Sequence, residues 1–204
     1  MVSYREAFRR PFSDVKNFVI GIVLGMVPIV NFLVLGYTLR CARTAMKSEF
    51  KLPEWEDWGK LFINGLLYLL IVIIYFLPVF AVAAIFLGSD FFIAVSGETP
   101  SMMGGSIGFG MVLTALVFLL TIYLFPAALV RFAGRENFTD AFTCRVIFAK
   151  AFSAEYFKVW AVMMLYYSVL WMVFGRLSFI GTGITGFISG VTTLTALGEI
   201  FPKL

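Results

Sequence analysis

Apolar residues fall in five long blocks, each bounded by short polar or charged stretches. Residues 59–87 form the longest block, and at 1.5 Å per helical residue they would reach roughly 43 Å, enough for a tilted span with an extension into the headgroups. Residues 109–130 and 178–198 match the ~20 residues that a bilayer core requires, while 159–175 is short but adequate. Hydropathy alone would make residues 18–39 a fifth span. The pattern predicts an all-α polytopic bundle forming a single integral membrane domain over residues 1–204.

Charge separates two readings of residues 18–39. The chain carries 16 Lys and Arg residues. A single crossing by this block would leave five of them on the non-cytoplasmic side at best. If the block enters and leaves on one face, fifteen gather on the cytoplasmic side and only Arg176 lies opposite. The positive-inside rule favours this second arrangement. The expected architecture is therefore four full spans plus an N-terminal re-entrant helical hairpin, with both termini cytoplasmic. A proline-kinked single span is the competing reading.

The local sequence also marks a break. Pro28 removes a backbone donor and disfavours helical geometry at Val27, while Asn31 is placed to cap a new helix through its side-chain oxygen. Arms over residues 18–27 and 32–39 would each be ~12–15 Å long, about half the hydrocarbon thickness. Asn64 and Tyr68, one turn apart, are candidate hydrogen-bond partners for such a hairpin.

Two polar stretches carry an aromatic and basic helical pattern suited to the headgroup plane. Residues 1–17 place Tyr4, Phe8 and Phe12 on one face beside Arg5, Arg9 and Arg10. Between Phe138 and Phe152, the residues Phe138, Phe142, Val146, Ala149 and Phe152 share a face, with Arg145 and Lys150 off it. No small-residue cleavage site follows the first apolar block, so that block is expected to be retained.

Composition then narrows the chemistry. Hydrophobic residues make up 61% of the chain and charged residues 14%, with a mean hydropathy of +0.95. That charged share is about half the ~25% usual for a soluble domain, so lipid is the expected solvent. Histidine is absent, which excludes imidazole catalysis and leaves metals and haem without their commonest ligand. Cys41 and Cys144 form no spacing motif and are expected to be free thiols. No cofactor or metal site and no catalytic pair is foreseen. The net charge of +4 fits basic loops at an anionic membrane face, so nucleic acid is not expected as a partner.

The remaining motifs have a structural and a functional reading. The string 52–60, Leu-Pro-Glu-Trp-Glu-Asp-Trp-Gly-Lys, reads as an interfacial aromatic belt leading into a helix start. With Arg40 and Arg43 it also offers a lipid- or partner-binding face made of Arg40, Arg43, Trp55, Trp58 and Lys60. In the last span Gly186 and Gly190 have the spacing of a helix-packing motif, within the chain or between copies. Thr185, Ser189 and Thr193 make an adjacent hydroxyl strip that would also suit a conduction path.

Several of these strings resemble a known family. Pro11-Phe-Ser-Asp, Pro28-Ile-Val-Asn-Phe, Gly36-Tyr37 with Arg40, and the Leu-Pro-Glu-Trp-Glu-Asp-Trp-Gly string are similar to an archaeal family of multi-span membrane proteins, domain of unknown function 4013. Pro126-Ala-Ala and Asn137-Phe-Thr-Asp-Ala-Phe before Tyr156 extend the likeness. More distantly the chain resembles membrane domains attached to some bacterial glycerophosphodiester phosphodiesterases. The resemblance implies an integral membrane protein and transfers no catalytic residue.

The expected function is a non-enzymatic membrane module in the cell membrane that binds lipids or a partner, which could be a second copy of the chain. The alternative is an oligomeric channel or uncoupled transporter for a small solute. The hairpin and hydroxyl strip would line its path.

Overall fold

A computed structural model describes residues 3–96 and 104–204, without the side chains of 87–96, 104–107, 178 and 179. Eight α-helices make up the described chain: α1 (Tyr4–Arg9), α2 (Val15–Met26), α3 (Asn31–Met46), α4 (Trp58–Ser96), α5 (Gly104–Arg135), α6 (Cys144–Ala151), α7 (Ala154–Phe174) and α8 (Ser178–Ile200). Three short 3₁₀ turns join them at Arg10–Phe12, Phe138–Phe142 and Gly175–Leu177. No strand occurs among the described residues.

Four helices are long and apolar enough to cross a membrane: Trp58–Phe86, Gly108–Arg135, Ala154–Leu177 and Ile180–Ile200. These match the four long blocks read from the sequence and make the chain a multi-pass membrane protein. Pro78 and Pro126 lie inside α4 and α5 without ending them. The most apolar window of α8 is 67% buried, whereas that of Trp58–Phe86 is 11% buried. Helix α8 is therefore an inner helix, and α4 turns most of its surface outward.

The chain divides into two compact units, Met1–Ile71 with Pro126–Leu204, and Val72–Phe125. Within Val72–Phe125, Phe76 packs against Phe118 and Phe125, and Phe86 packs against Phe109. The two chain segments there run antiparallel.

In the larger unit α2 and α3 lie along α8. A Cβ on Gly21 would collide with the Phe187 ring, and one on Gly25 would meet Gly183 at 3.5 Å. Helix α2 thus advances as α8 recedes. Along α3 the order is reversed, since Thr38 meets Gly190 and Ala42 meets Gly198. The two helices form an antiparallel hairpin against α8, with the break at residues 27–30. Val27 is extended (φ −99°, ψ 116°), the conformation that a following proline imposes.

Two details differ from the sequence reading. Asn31 does not cap α3 with its side chain; it is the first helical residue, and Val30 holds the cap position without a side-chain hydrogen bond. The arms are also longer than expected, 12 residues in α2 and 16 in α3. Both gain residues at the ends away from Pro28, where Asp14 caps α2 and the apolar pattern gives way to charge.

Of the two candidate packing glycines, Gly190 lies tight against α3, where a Cβ would meet the Thr38 methyl at 3.0 Å, while Gly186 has open space where its Cβ would be. The hairpin and α4 approach each other backbone to backbone at Gly36, facing the Leu61 carbonyl, and Gly65, facing the Phe32 carbonyl. Without a hydrophobic drive between helices in lipid, such approaches gain dispersion contact that a larger side chain would block. No side-chain hydrogen bond of Asn64 or Tyr68 reaches the hairpin among the described residues; Gly65 brings α4 against it instead.

Candidate functional site at the basic end

Helices α3, α5 and α8 finish at the same end of the larger unit, where Gly134 sits against Met46 and Gly198 against Ala42. Their last carbonyls carry the negative end of the helix dipole and need donors. Cations supply donors at the ends of α5 and α8, and at a carbonyl one turn further back in α3. Arg10 Nη1 donates to the Cys41 carbonyl at 2.7 Å, Arg43 Nε to the Ala133 carbonyl at 2.9 Å, and Lys150 Nζ to the Phe201 carbonyl at 2.5 Å. Lys150 also lies 4.4 Å over the Phe201 ring.

Arg10 is the buried centre of this arrangement, with 1% of its surface exposed. Nη1 also donates to Thr195 Oγ1 at 3.0 Å, and Nη2 donates to Thr44 Oγ1 and to the Lys51 carbonyl. No carboxylate pairs with it among the described residues; neutral oxygens replace water around the guanidinium. Burial pushes its pKa below the ordinary arginine value, and the neighbouring Cys41, Tyr37 and Glu49 partly offset this. The sequence reading missed this residue by grouping it with Arg5 and Arg9. A usable signal was present. Ala7, Arg10 and Pro11 fall at i, i+3 and i+4, and this small-residue face is the buried one, while Phe12 is 54% exposed.

The loop after α3 folds inward. Trp55 is buried and stacks on Tyr37 at 4.0 Å between ring centroids and 9° between planes. Its indole N–H donates to the Asn17 carbonyl at 3.2 Å, and Tyr37 Oη donates to the Pro53 carbonyl at 2.6 Å. Asn17 in turn donates to Asp14 at 3.0 Å. The loop thereby locks the start of α2 to α3. Trp55 is a packing residue here, and only Trp58, 47% exposed, turns a ring outward.

The candidate cations Arg40, Arg43 and Lys60 are engaged within the protein. Arg40 pairs with Asp57 at 3.5 Å and donates to the Glu54 carbonyl. Arg43 pairs with Glu136, and Lys60 reaches the same carboxylate at 3.1 Å. Glu136 sits just beyond α5 with φ 54°, a left-handed conformation that ordinarily suits glycine or asparagine. Its N–H closes the helix by bonding to the Phe132 carbonyl at 2.8 Å. Burial tends to raise the Glu136 pKa, but the Lys60 hydrogen bond and the Arg43 charge outweigh it and hold the carboxyl below its usual value.

A depressed carboxyl pKa stabilises the fold above the unfolded value, about 4.3, and that contribution fades as pH falls through the folded value. Thermal melts between pH 6 and pH 3 should therefore show a steeper loss for the wild type than for Glu136→Gln. Parallel curves would remove the electrostatic role given to this residue.

Other cations remain available. Arg145 and Lys158 are exposed and have no ion-pair partner among the described residues. Beside them Phe148 and Phe152 stack at 5.8 Å, and Phe157 stacks on Trp160 at 6.4 Å. Phe148, Phe152 and Phe157 are 41%, 65% and 55% exposed. The helical face expected over residues 138–152 is thus altered. Thr143 divides it into a 3₁₀ turn and α6, so Ala141, Ile147 and Ala151 turn inward and Phe148 turns out. Among the described residues no His, Cys, Asp or Glu cluster could hold a metal ion.

A family model described as "Protein of unknown function (DUF4013)" matches residues 19–197. The chain belongs to this family. The match takes in most of the hairpin, the inward-folded loop, three of the long apolar helices and most of the fourth, but not Arg10. No curated protein and no solved structure matches the chain.

Proposed function

We propose that this DUF4013 protein is a non-enzymatic module of the cell membrane that holds anionic lipid headgroups at its basic end. That end and both termini face the cytoplasm in this reading. One observation carries it: Arg145 and Lys158 stand without an ion-pair partner beside the exposed rings of Phe148, Phe152 and Phe157, just ahead of and within the first turns of Ala154–Leu177. A span fixes depth. The short distance along the chain from these residues to the start of that span sets the rings at the hydrocarbon boundary and the cations among the headgroups. Arg40, Arg43 and Lys60, by contrast, already have carboxylate partners.

The test is lipid selection. Protein reconstituted in nanodiscs of equal phosphatidylglycerol and phosphatidylcholine should co-purify, after detergent extraction, with lipid enriched in phosphatidylglycerol. A cation near an anionic surface contributes about 1 kcal/mol, roughly fivefold, so Arg145→Gln with Lys158→Gln should abolish most of the enrichment. High salt should weaken it too, because these charges are solvent-exposed. Equal retention of both lipids, or enrichment unchanged in the double variant, would overturn the proposal.

A further inference from the structure

The tip of the α2–α3 hairpin lies far from the basic end. Gly25 opposes Gly183, and a notch of 260 Å³ is lined by Gly25, Pro28, Asn31, Thr182, Gly183 and Gly186 among others. On α8 these residues sit four to eight positions after Ser178, next to the Gly175–Leu177 turn that carries the exposed Arg176. The basic end is at the opposite terminus of α8, where Thr195 meets Arg10. The tip therefore reaches close to the far end of α8.

The backbone at the tip needs solvent. Asn31 N–H bonds to the Val27 carbonyl at 2.8 Å, but the N–H groups of Ile29 and Val30 have no acceptor among the described residues. Ile29 is 71% exposed. Hydrocarbon cannot satisfy these groups, so they are disfavoured in contact with lipid. Gly186 keeps the notch open, since nothing lies within 4 Å of where its Cβ would be. A polar notch of this size is large enough to admit water.

We propose that the tip, residues 27–30, is open to water on the membrane face opposite the basic end, through this notch. Helix α2, at 12 residues, rises only about 18 Å, well short of the ~30 Å hydrocarbon core. Water must therefore enter from that face, or the bilayer must thin there, to meet it.

Thiol accessibility in sealed proteoliposomes tests this. Cys144 is exposed at the basic end and Cys41 is buried, so wild-type labelling by a membrane-impermeant maleimide reports the side on which the basic end lies. Ile29→Cys in a Cys144→Ser background should be labelled from the other side. Leu165→Cys on α7, 68% exposed but within a span, is the lipid-facing control and should stay unlabelled. If Ile29→Cys does not fold, Val27→Cys, 47% exposed in the wild type, serves in its place. Labelling from the same side as Cys144, or no faster than at Leu165→Cys, would overturn the proposal. The result does not depend on lipid selectivity.

Discussion

Arg10→Met should lower the stability of the purified protein by roughly 3 kcal/mol or more, read as a depressed melting midpoint in detergent. The guanidinium makes four hydrogen bonds, to Cys41, Thr195, Thr44 and Lys51, and these join the 3₁₀ turn at Arg10 to two helices, α3 and α8, and to the loop after α3. A hydrogen bond from a charged group contributes about 1.5–3 kcal/mol, and its loss leaves buried acceptors without a donor. Part of that loss is recovered because the methionine no longer buries a charge, which is why the total is well below the sum. Arg10→Lys should recover little. A single ammonium cannot reach Cys41 and Thr195 on one side and Thr44 and Lys51 on the other, as the planar fork does. A melting midpoint within a degree of wild type for Arg10→Met would show that the bonds contribute nothing net.

The second large effect is expected at Gly36. A Cβ there would run into the Leu61 carbonyl, a backbone atom that cannot rotate away. Gly36→Ala must push α3 and α4 apart, at a cost in the overpacking range of about 1–3 kcal/mol or above. Gly186→Ala is the matched control, because its Cβ enters open space. Exchanging glycine for alanine in a helix otherwise gains up to about 1 kcal/mol. Opposite signs are therefore expected for the same chemical change, and melting curves of the two variants would show it. Equal effects would contradict the packing described for the hairpin.

Most of the membrane architecture was legible along the chain. Four helices long enough to cross a bilayer announce themselves as apolar blocks, because lipid tolerates little else over ~20 residues. The break after Val27 was equally plain, since proline restricts both itself and the residue before it. Helix ends were less so. Asp14 and Asn31 are both good capping residues, but only Asp14 caps, by accepting from the Asn17 N–H. Choosing between them requires knowing where the preceding chain arrives.

The fate of the candidate site residues was not legible. Trp55 and Trp58 share one short loop and one composition, yet one stacks in the core and the other faces out. Arg9 and Arg10 are neighbours, and a 3₁₀ turn at Pro11 sends only Arg10 inward. In each pair the difference lies in what the rest of the chain brings alongside: Tyr37 and Asn17 for Trp55, and the ends of α3 and α8 for Arg10.

The sequence by itself determined that the chain is helical, that it crosses a membrane several times, that its positive charge collects at one end, and that its first apolar block is broken at Pro28. Those are properties of composition and short-range sterics, readable within a window of about twenty residues. Tertiary structure decided what the charge does. Three helix C-termini meet at the basic end, and carbonyls at or near these ends take up Arg10, Arg43 and Lys150, while Glu136 pairs with Arg43 and Lys60. Arg145 and Lys158 are left outside that network. That division depends on which oxygens lie within about 3 Å of each cation, a distance that only the packed helices set.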